Sequence, residues 1–479
     1  MKTVFAKSVP GRTGVLPKRP DKTASDMLPS GLLRKNRPAL PELSELDVVR
    51  HYSLLSKRNY SVDTNFYPLG SCTMKYNAKF MECAAALPGF SQTHPLLAQL
   101  DGGEKLAAGC LEAIWESEEL LKEVTGMAAF SMQPMAGAQG ELTGILLIAA
   151  YHRARGNKKT KVICPDAAHG TNPATAALAG YEVVNIESKD GMVDPEALAA
   201  VLDDSVAALM MTCPNTLGLF EKHLPAIVEK LRSVDALLYY DGANFNAIMG
   251  RMRTGDVGFD VVHLNLHKTM GTPHGGGGPG SGPVGVSGRL IPFLPGPRVV
   301  KKADGSFRLA LDLPLSIGKV APFYGNFTVY IKALAYMLRL GREGLARATT
   351  YAVLNANYML ARLRGHLQIP YDRICMHEFV ASATPLGQYG VHALDIAKAL
   401  LDKGYHAPTI YFPLIVKECL MFEPTETESR ETLDAFCDDL IAIVETSKTN
   451  PKAIQDAPVT LPVRRLDETK AARMMVLTD

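Results

Sequence analysis

Between residues 160 and 266 short β-rich runs alternate with helical patterns, and this alternation constrains the chain more than any other feature. The strand-like runs are Lys161–Cys164, Glu182–Ile186, Val206–Thr212, Ala236–Tyr240 and Val261–Leu266. Helical patterns at Pro173–Ala179, Pro195–Val201 and Leu224–Leu231 separate most of them. Near-continuous apolar strands with helices between them imply a mostly parallel sheet covered on both faces. Functional residues then belong at the carboxyl ends of those strands. After about residue 325 the pattern changes to a long helix, Val329–Leu340, and more helix through Leu363. Shorter mixed segments follow at His377–Ala383 and Leu394–Leu401. The expected organisation is an N-terminal arm and helix over 1–60, a large domain over 61–325, and a smaller α+β domain over 326–479.

Composition excludes several classes of function. The 51 Lys and Arg against 49 Asp and Glu leave a net charge of +2, too little field to favour a polyanion partner such as nucleic acid. The longest apolar stretch, Ile145 to Ala150, falls far short of the ~20 residues that cross a bilayer. Eight cysteines without a Cys-x-x-Cys pair read as buried or reactive thiols, and they predict a cytoplasmic chain. Residues 1–20 carry Lys2, Lys7, Arg12, Lys18 and Arg19 and no acid, as a transit peptide would. Pro10, Gly11, Gly14, Pro17 and Pro20 break any amphipathic helix there, so an extended arm lying on a neighbouring surface is expected instead.

Five places carry chemistry. Ala136, Gly137, Ala138 and Gln139 precede the apolar helix Leu142–Ala150. Small residues there let an anion approach the first free amides of a helix, although a tight glycine turn would read the same. His169 follows the first strand on a strand-to-helix loop, where an imidazole can stack on a planar cofactor or serve structurally. Asn215 closes one strand. Asp241, with Ala243 two residues on, closes another, where a carboxylate needs a cation, water or a cap to satisfy it. His267 and Lys268 end an apolar run, and a lysine so placed can form a Schiff base with a carbonyl. No histidine or cysteine spacing supports a metal site, and zinc is not expected.

The glycine island after His274 twice satisfies G-x-G-x-x-G, starting at Gly275 and at Gly280. A dinucleotide fingerprint needs a strand before it and a helix after it, whereas Pro279, Pro283 and Val284–Val286 predict a turn leading to another strand. A close-approach loop beside Lys268 is the better reading.

The order of these signals is the order that pyridoxal phosphate chemistry requires: anion loop, loop histidine, strand-end aspartate, lysine. Phosphate would sit on the amides after Ala136, His169 against the ring, Asp241 at the ring nitrogen and Lys268 at the aldehyde carbon. Asn215, Ala243 and His267 complete the expected cofactor-binding set.

Longer phrases add a family resemblance across nearly the whole chain. They include Tyr67-Pro-Leu-Gly-Ser-Cys-Thr-Met-Lys75, Gln133-Pro-Met-Ala-Gly-Ala-Gln-Gly-Glu141 and His169-Gly-Thr-Asn-Pro-Ala-Thr175. Others are Pro214-Asn-Thr-Leu-Gly-Leu-Phe-Glu221, Asn265-Leu-His-Lys-Thr269, His406-Ala-Pro-Thr409 and Glu423-Pro-Thr-Glu426. On these the chain resembles the glycine-cleavage P-protein family, in particular the carboxy-terminal type subunit of its two-subunit form.

The resemblance implies an α/β protein of the pyridoxal phosphate-dependent transferase fold type I, with cofactor covalent on Lys268. It implies decarboxylation of glycine, release of carbon dioxide, and transfer of the aminomethyl group to the lipoyl arm of an H-protein. It also implies a homologous subunit 1 in an α2β2 assembly. Tyr67–Thr73, His377 and His406–Thr409 are candidates for the cleft around the lipoyl path. Met135 and Met270-Gly271 depart from the fused form's pattern without removing a reacting group. Two alternatives stay open: a fold type I enzyme with another substrate, and a noncatalytic scaffold.

Overall fold

The computed structural model describes residues 1–476 apart from 17, 19, 20 and 37. Pro17, Arg19 and Pro20 of the expected arm therefore lie outside the described residues. The described chain divides into two compact units, Met1–Ser61 and Val62–Asp479.

In the first unit, the helix Glu45–Ser56 starts at Ser44, whose hydroxyl accepts the Asp47 amide at 3.1 Å. This satisfies one of the orphan donors of a helix start. Arg12 pairs with Asp47 at 2.9 Å, and Val9 donates its amide to the Glu42 carbonyl, so the arm is fastened to the segment that leads into its own helix.

The second unit is built on a seven-stranded sheet. Its strands are β1 (Ala129–Ser131), β2 (Lys161–Pro165), β3 (Glu182–Ile186), β6 (Val206–Thr212), β7 (Leu237–Gly242), β8 (Val261–Leu264) and β9 (Val284–Val286). A short hairpin of β4 (Ser188–Lys189) and β5 (Met192–Val193) lies between β3 and β6 in sequence. The spatial order is β1-β9-β8-β7-β6-β2-β3. Strands β3, β2, β6, β7 and β8 pair in parallel, and β9 is antiparallel to both β8 and β1. Every residue of β6, β7 and β8 is buried, as the unbroken apolar text requires. Each large side chain so buried contributes about 1.5–3 kcal/mol. One core cluster lies on each face: Leu209, Leu238, Tyr240 and Val262 belong to one, and Ala208, Met210, Tyr239 and Val261 to the other.

A second hairpin, β10 (Arg298–Lys301) and β11 (Phe307–Ala310), follows. The last sheet has three antiparallel strands, β12 (Phe379–Ser382), β13 (Thr409–Ile410) and β14 (Cys419–Phe422), in the order β12-β14-β13. The helices Ala393–Asp402 and Arg430–Thr449 share its core through Ile396, Leu400, Phe436 and Leu440.

The helix expected over Val329–Leu340, with more helix through Leu363, is present within Phe327–Leu363, and Gly341, with a non-helical φ of 61° and ψ of −176°, kinks it just after Leu340. The structure corrects one expectation about elements. Strand β8 stops at Leu264, so Lys268 stands on a single helical turn, Leu266–Thr269, rather than on the strand end. Asn265, extended at φ −113° and ψ 95°, makes the change of direction. No helix among the described residues is long and apolar enough to cross a membrane.

Candidate functional site

Asp241 anchors the site. It lies in register with His263 of the neighbouring parallel strand, so both side chains point to one face of the sheet. Its Oδ1 is 3.3 Å from His263 Nε2 and accepts the Ala243 amide at 2.9 Å, and Oδ2 accepts Asn172 Nδ2 at 3.1 Å. At 2 % exposure, burial by itself would raise the carboxyl pKa. His263, His169, the Ala243 amide and Asn172 more than offset it, holding the group below the usual carboxylate value. His263 is fixed in turn by Tyr239, whose hydroxyl lies 2.5 Å from Nδ1.

His169 occupies the loop between β2 and the helix Thr171–Leu178. Its Nδ1 lies 2.8 Å from the Thr171 hydroxyl, which donates to the buried Glu141 carboxylate at 2.7 Å. Burial lowers its pKa, the Asp241 charge opposes that, and the Lys268 charge adds to it, so one imidazole lies within electrostatic reach of both expected reacting groups.

The Lys268 amine donates to the Ser71 carbonyl at 2.6 Å. His267 beside it accepts the Ser281 amide at Nδ1, 3.3 Å away, and burial followed by the Lys268 charge takes its pKa down to about 4. The imidazole is therefore neutral at physiological pH.

The expected anion loop starts the 18-residue helix Gly137–Ala154, with Ala136 as its extended N-cap. Backbone and side chains meet closely here. A Cβ on Gly137 would stand 2.2 Å from Asn265 Oδ1, and one on Gly282 would stand 2.0 Å from the Ala136 carbonyl. Gln139 closes the mouth of the loop by accepting the Met135 amide at 2.7 Å through Oε1 and donating Nε2 to the Val320 carbonyl. Asn265 Oδ1 and the Ser281 hydroxyl are buried without a hydrogen-bond partner among the described residues. Helix-start amides, a cradle that excludes a β-carbon, and a hydroxyl with no partner suit a phosphate. A carboxylate at one end of the site and a lysine at the other suit the ring and aldehyde of pyridoxal phosphate.

Asn215 differs in kind from the other expected residues. Its Oδ1 accepts the amides of Leu217 and Leu219 at 3.0 and 3.2 Å, and its Nδ2 donates to the Gly191 carbonyl at 2.6 Å. Its carboxamide thus holds a turn. The cleft segments do meet: Tyr67 stacks on His406 with ring centroids 3.7 Å apart, and the Thr409 hydroxyl donates to the Gly70 carbonyl at 2.9 Å.

Sequence reasoning missed His263, Asn172, Lys75 and Glu426. The first had a signal, a lone polar residue inside a four-residue apolar strand. Lys75 had none, because its phrase does not reveal that it is 1 % exposed and paired at 2.5 Å with a carboxylate 351 residues away.

The family model for the glycine dehydrogenase C-terminal domain matches residues 348–460, and that for class-V aminotransferases matches 138–286. The probable glycine dehydrogenase (decarboxylating) subunit 2 of Caldanaerobacter subterraneus subsp. tengcongensis is 57% identical over 459 residues, 95% of this chain and 93% of that protein. The corresponding protein of Kosmotoga olearia is 55% identical over 477 residues, 98% of each. Among solved structures, an inhibitor-bound glycine decarboxylase (P-protein) of the glycine cleavage system superposes with a TM-score of 0.72 at 20% identity, covering 88% of this chain and 95% of that one. A sphingosine-1-phosphate lyase from Burkholderia pseudomallei superposes with a TM-score of 0.63 at 15% identity, covering 92% and 95%. These likenesses establish the α/β fold of the pyridoxal phosphate-dependent transferases.

Proposed function

The chain belongs to the glycine dehydrogenase (decarboxylating) subunit 2 family, a family of enzymes, and from that premise we propose that it is the subunit that carries pyridoxal 5'-phosphate, decarboxylates glycine with release of carbon dioxide, and passes the aminomethyl group to the lipoyl arm of an H-protein. Bound pyridoxal phosphate supplies an electrophilic carbonyl and a conjugated ring that takes up the electron pair left when a carboxylate departs. Lys268 would be joined covalently to it, and the Ser71 carbonyl, which accepts from the Lys268 amine at 2.6 Å, would hold that amine whenever it is free. The amides of Gly137, Ala138 and Gln139, opening at Ala136, would hold the phosphate. Asp241, ionised and braced by Ala243, would hold a proton on the ring nitrogen, and His169 would lie against the ring face. His267, neutral, would limit positive charge beside Lys268, and Asn215 would shape the loop after β6.

The observation that carries this reading is a buried Asp241 carboxylate fixed by His263, the Ala243 amide and Asn172, together with the Lys268 amine held on the Ser71 carbonyl and an unpartnered Ser281 hydroxyl beside the Gly137 and Gly282 cradle. A homologous subunit 1 would complete an α2β2 assembly in the cytoplasm. Residues 61–325 would form the cofactor-binding domain and 326–479 the smaller domain, after the arm and helix of 1–60. The test is glycine-dependent exchange of labelled bicarbonate with subunit 1 and lipoylated H-protein present. Exchange that needs this chain supports the reading; no exchange with all components loaded and folded contradicts it.

A further inference from the structure

Three buried groups behind Lys268 have no place in that chemistry. Strand β12 begins at Phe379, β14 ends at Phe422, and these two residues are register partners. The residue before one strand and the residue after the other therefore come to the same edge of the sheet, which brings Glu378 to Glu423 and carries His377 with them. All three are 0 % exposed. Their facing atoms lie within 4.8 Å of one another. His377 Nε2 is 3.7 Å from Glu423 Oε1 and 4.0 Å from Glu378 Oε1, and neither ring nitrogen has a hydrogen-bond partner.

The two carboxyl groups hold one loop between them. Ser71 donates its amide to Glu378 Oε2 at 2.7 Å. Thr73 donates its amide to Glu423 Oε2 at 2.9 Å and its hydroxyl to Oε1 at 2.5 Å. Asn244 completes the set by donating to Glu378 Oε1 at 2.9 Å. Ser71 and Thr73 have φ of 60° and 47°, in the left-handed region that non-glycine residues avoid. The glutamates therefore select a backbone that the loop would not otherwise keep. The carbonyl of the same Ser71 receives the Lys268 amine.

Charge balance then requires a proton. Among the described residues, the titratable groups that face the cluster are the cationic Lys268 and Lys75 and the thiols of Cys72, Cys375 and Cys419, whose pKa values burial raises. Lys75 is already matched by Glu426 at 2.5 Å, so Lys268 alone offsets two dry carboxylates. One negative charge is left over, and a buried site does not keep it uncompensated.

We propose that His377, Glu378 and Glu423 act as one proton-holding group behind Lys268, sharing a single proton in the resting protein and positioning the Ser71–Thr73 loop against the lysine amine. His377 Nε2, without a hydrogen-bond partner among the described residues, faces both carboxyl groups as a neutral acceptor just beyond direct hydrogen-bond reach. Burial, and then the neighbouring glutamate, raise Glu378 well above the usual carboxyl value. Burial takes Glu423 to about 7 against the pull of Thr73 and Lys268. Burial and the two lysine charges lower His377 to about 3, so the ring stays a neutral acceptor.

The functional consequence rests on Lys268 being the cofactor lysine, but the proton does not. Infrared spectra of the loaded and the cofactor-free protein at neutral pH should show the carbonyl stretch of a buried carboxylic acid. Glu378→Gln and Glu423→Gln should each remove one carboxyl group's share of that band and leave the share of Glu118, which burial also keeps protonated at this pH, because the remaining carboxyl group of the pair ionises. In the loaded protein, the midpoint of the pH-dependent cofactor absorbance should hold in either single variant and fall by about one pH unit, tenfold in proton concentration, in the double variant, where the negative charge is gone. A carbonyl band no larger in the wild-type protein than in the two single variants overturns the proposal, as does an unmoved midpoint in the double variant, or a stoichiometric divalent metal by elemental analysis. A carbonyl band in protein that forms no lysine adduct would leave this proposal standing and remove the cofactor reading instead.

Discussion

Replacing Lys75 by methionine keeps most of the side-chain volume and deletes one buried charge. Lys75 is 1 % exposed, and its ammonium spends all three protons on Glu426 Oε1 at 2.5 Å, Asn246 Oδ1 at 2.7 Å and the Thr269 carbonyl at 2.7 Å. Lys75→Met leaves Glu426, whose side chain is 9 % exposed, as an uncompensated charge. Breaking one side of such a pair costs about 3–5 kcal/mol. The two neutral acceptors lose partners at about 1 kcal/mol each when relaxation is incomplete. We expect a net loss of about 5 kcal/mol, the lower end of that sum, in urea unfolding, with an unchanged denaturant slope. Lys75→Met/Glu426→Gln should be more stable than Lys75→Met alone by about 2 kcal/mol, because the stranded charge is gone.

The pH dependence has a definite sign. Burial lowers the Lys75 pKa, but Glu426 and Tyr336 outweigh it and leave the value above that of a free lysine. The stabilisation is therefore complete below the ordinary lysine value and lost as pH rises through the raised one. Lys75→Met should lack that alkaline loss. A variant within about 1 kcal/mol of wild type, or a double variant as unstable as the sum of its singles, would refute the reasoning.

Three further outcomes follow from the same geometry. Asp241→Asn should retain cofactor absorbance while glycine-dependent exchange falls by about 10²-fold or more, because a neutral amide no longer holds the ring nitrogen charged; equal exchange rates would contradict that role. Gly137→Ala puts a Cβ 2.2 Å from Asn265 Oδ1 and should weaken pyridoxal phosphate binding about 10- to 100-fold, or about 1.4–2.7 kcal/mol, measured by cofactor titration; unchanged affinity would place the phosphate elsewhere. Burial pushes Glu118 up to about 8 against the pull of Arg298, so the native state loses stability as pH climbs from the ordinary carboxyl value through about 8. Glu118→Gln should match wild type in mild acid and exceed it by roughly 2 kcal/mol above that range in pH-dependent unfolding; parallel pH curves for the two proteins would argue against it.

The central sheet was legible because β2, β3, β6, β7 and β8 are short, apolar and separated by helices, a pattern that few folds share. Asp241 could be found because it stands near the carboxyl end of such a strand, and Lys268 because it follows one. The support of Asp241 could not, since the His263 contact depends on which strand lies beside β7 and in what register. The same holds for Glu378 and Glu423, 45 positions apart in sequence yet joined by the pairing of Phe379 with Phe422. Lys75 was recognisable as part of a phrase and not as a buried cation. The long helix was legible as two stretches, Val329–Leu340 and more helix through Leu363, and Gly341, at a positive φ between them, is where the structure kinks.

Borohydride reduction of the cofactor-supplemented protein, followed by peptide mapping, tests the central claim most directly. A single reduced pyridoxyl adduct on the peptide containing Lys268, absent from Lys268→Ala, is the result expected. An adduct on another lysine, or none from protein that is folded and loaded, would contradict it.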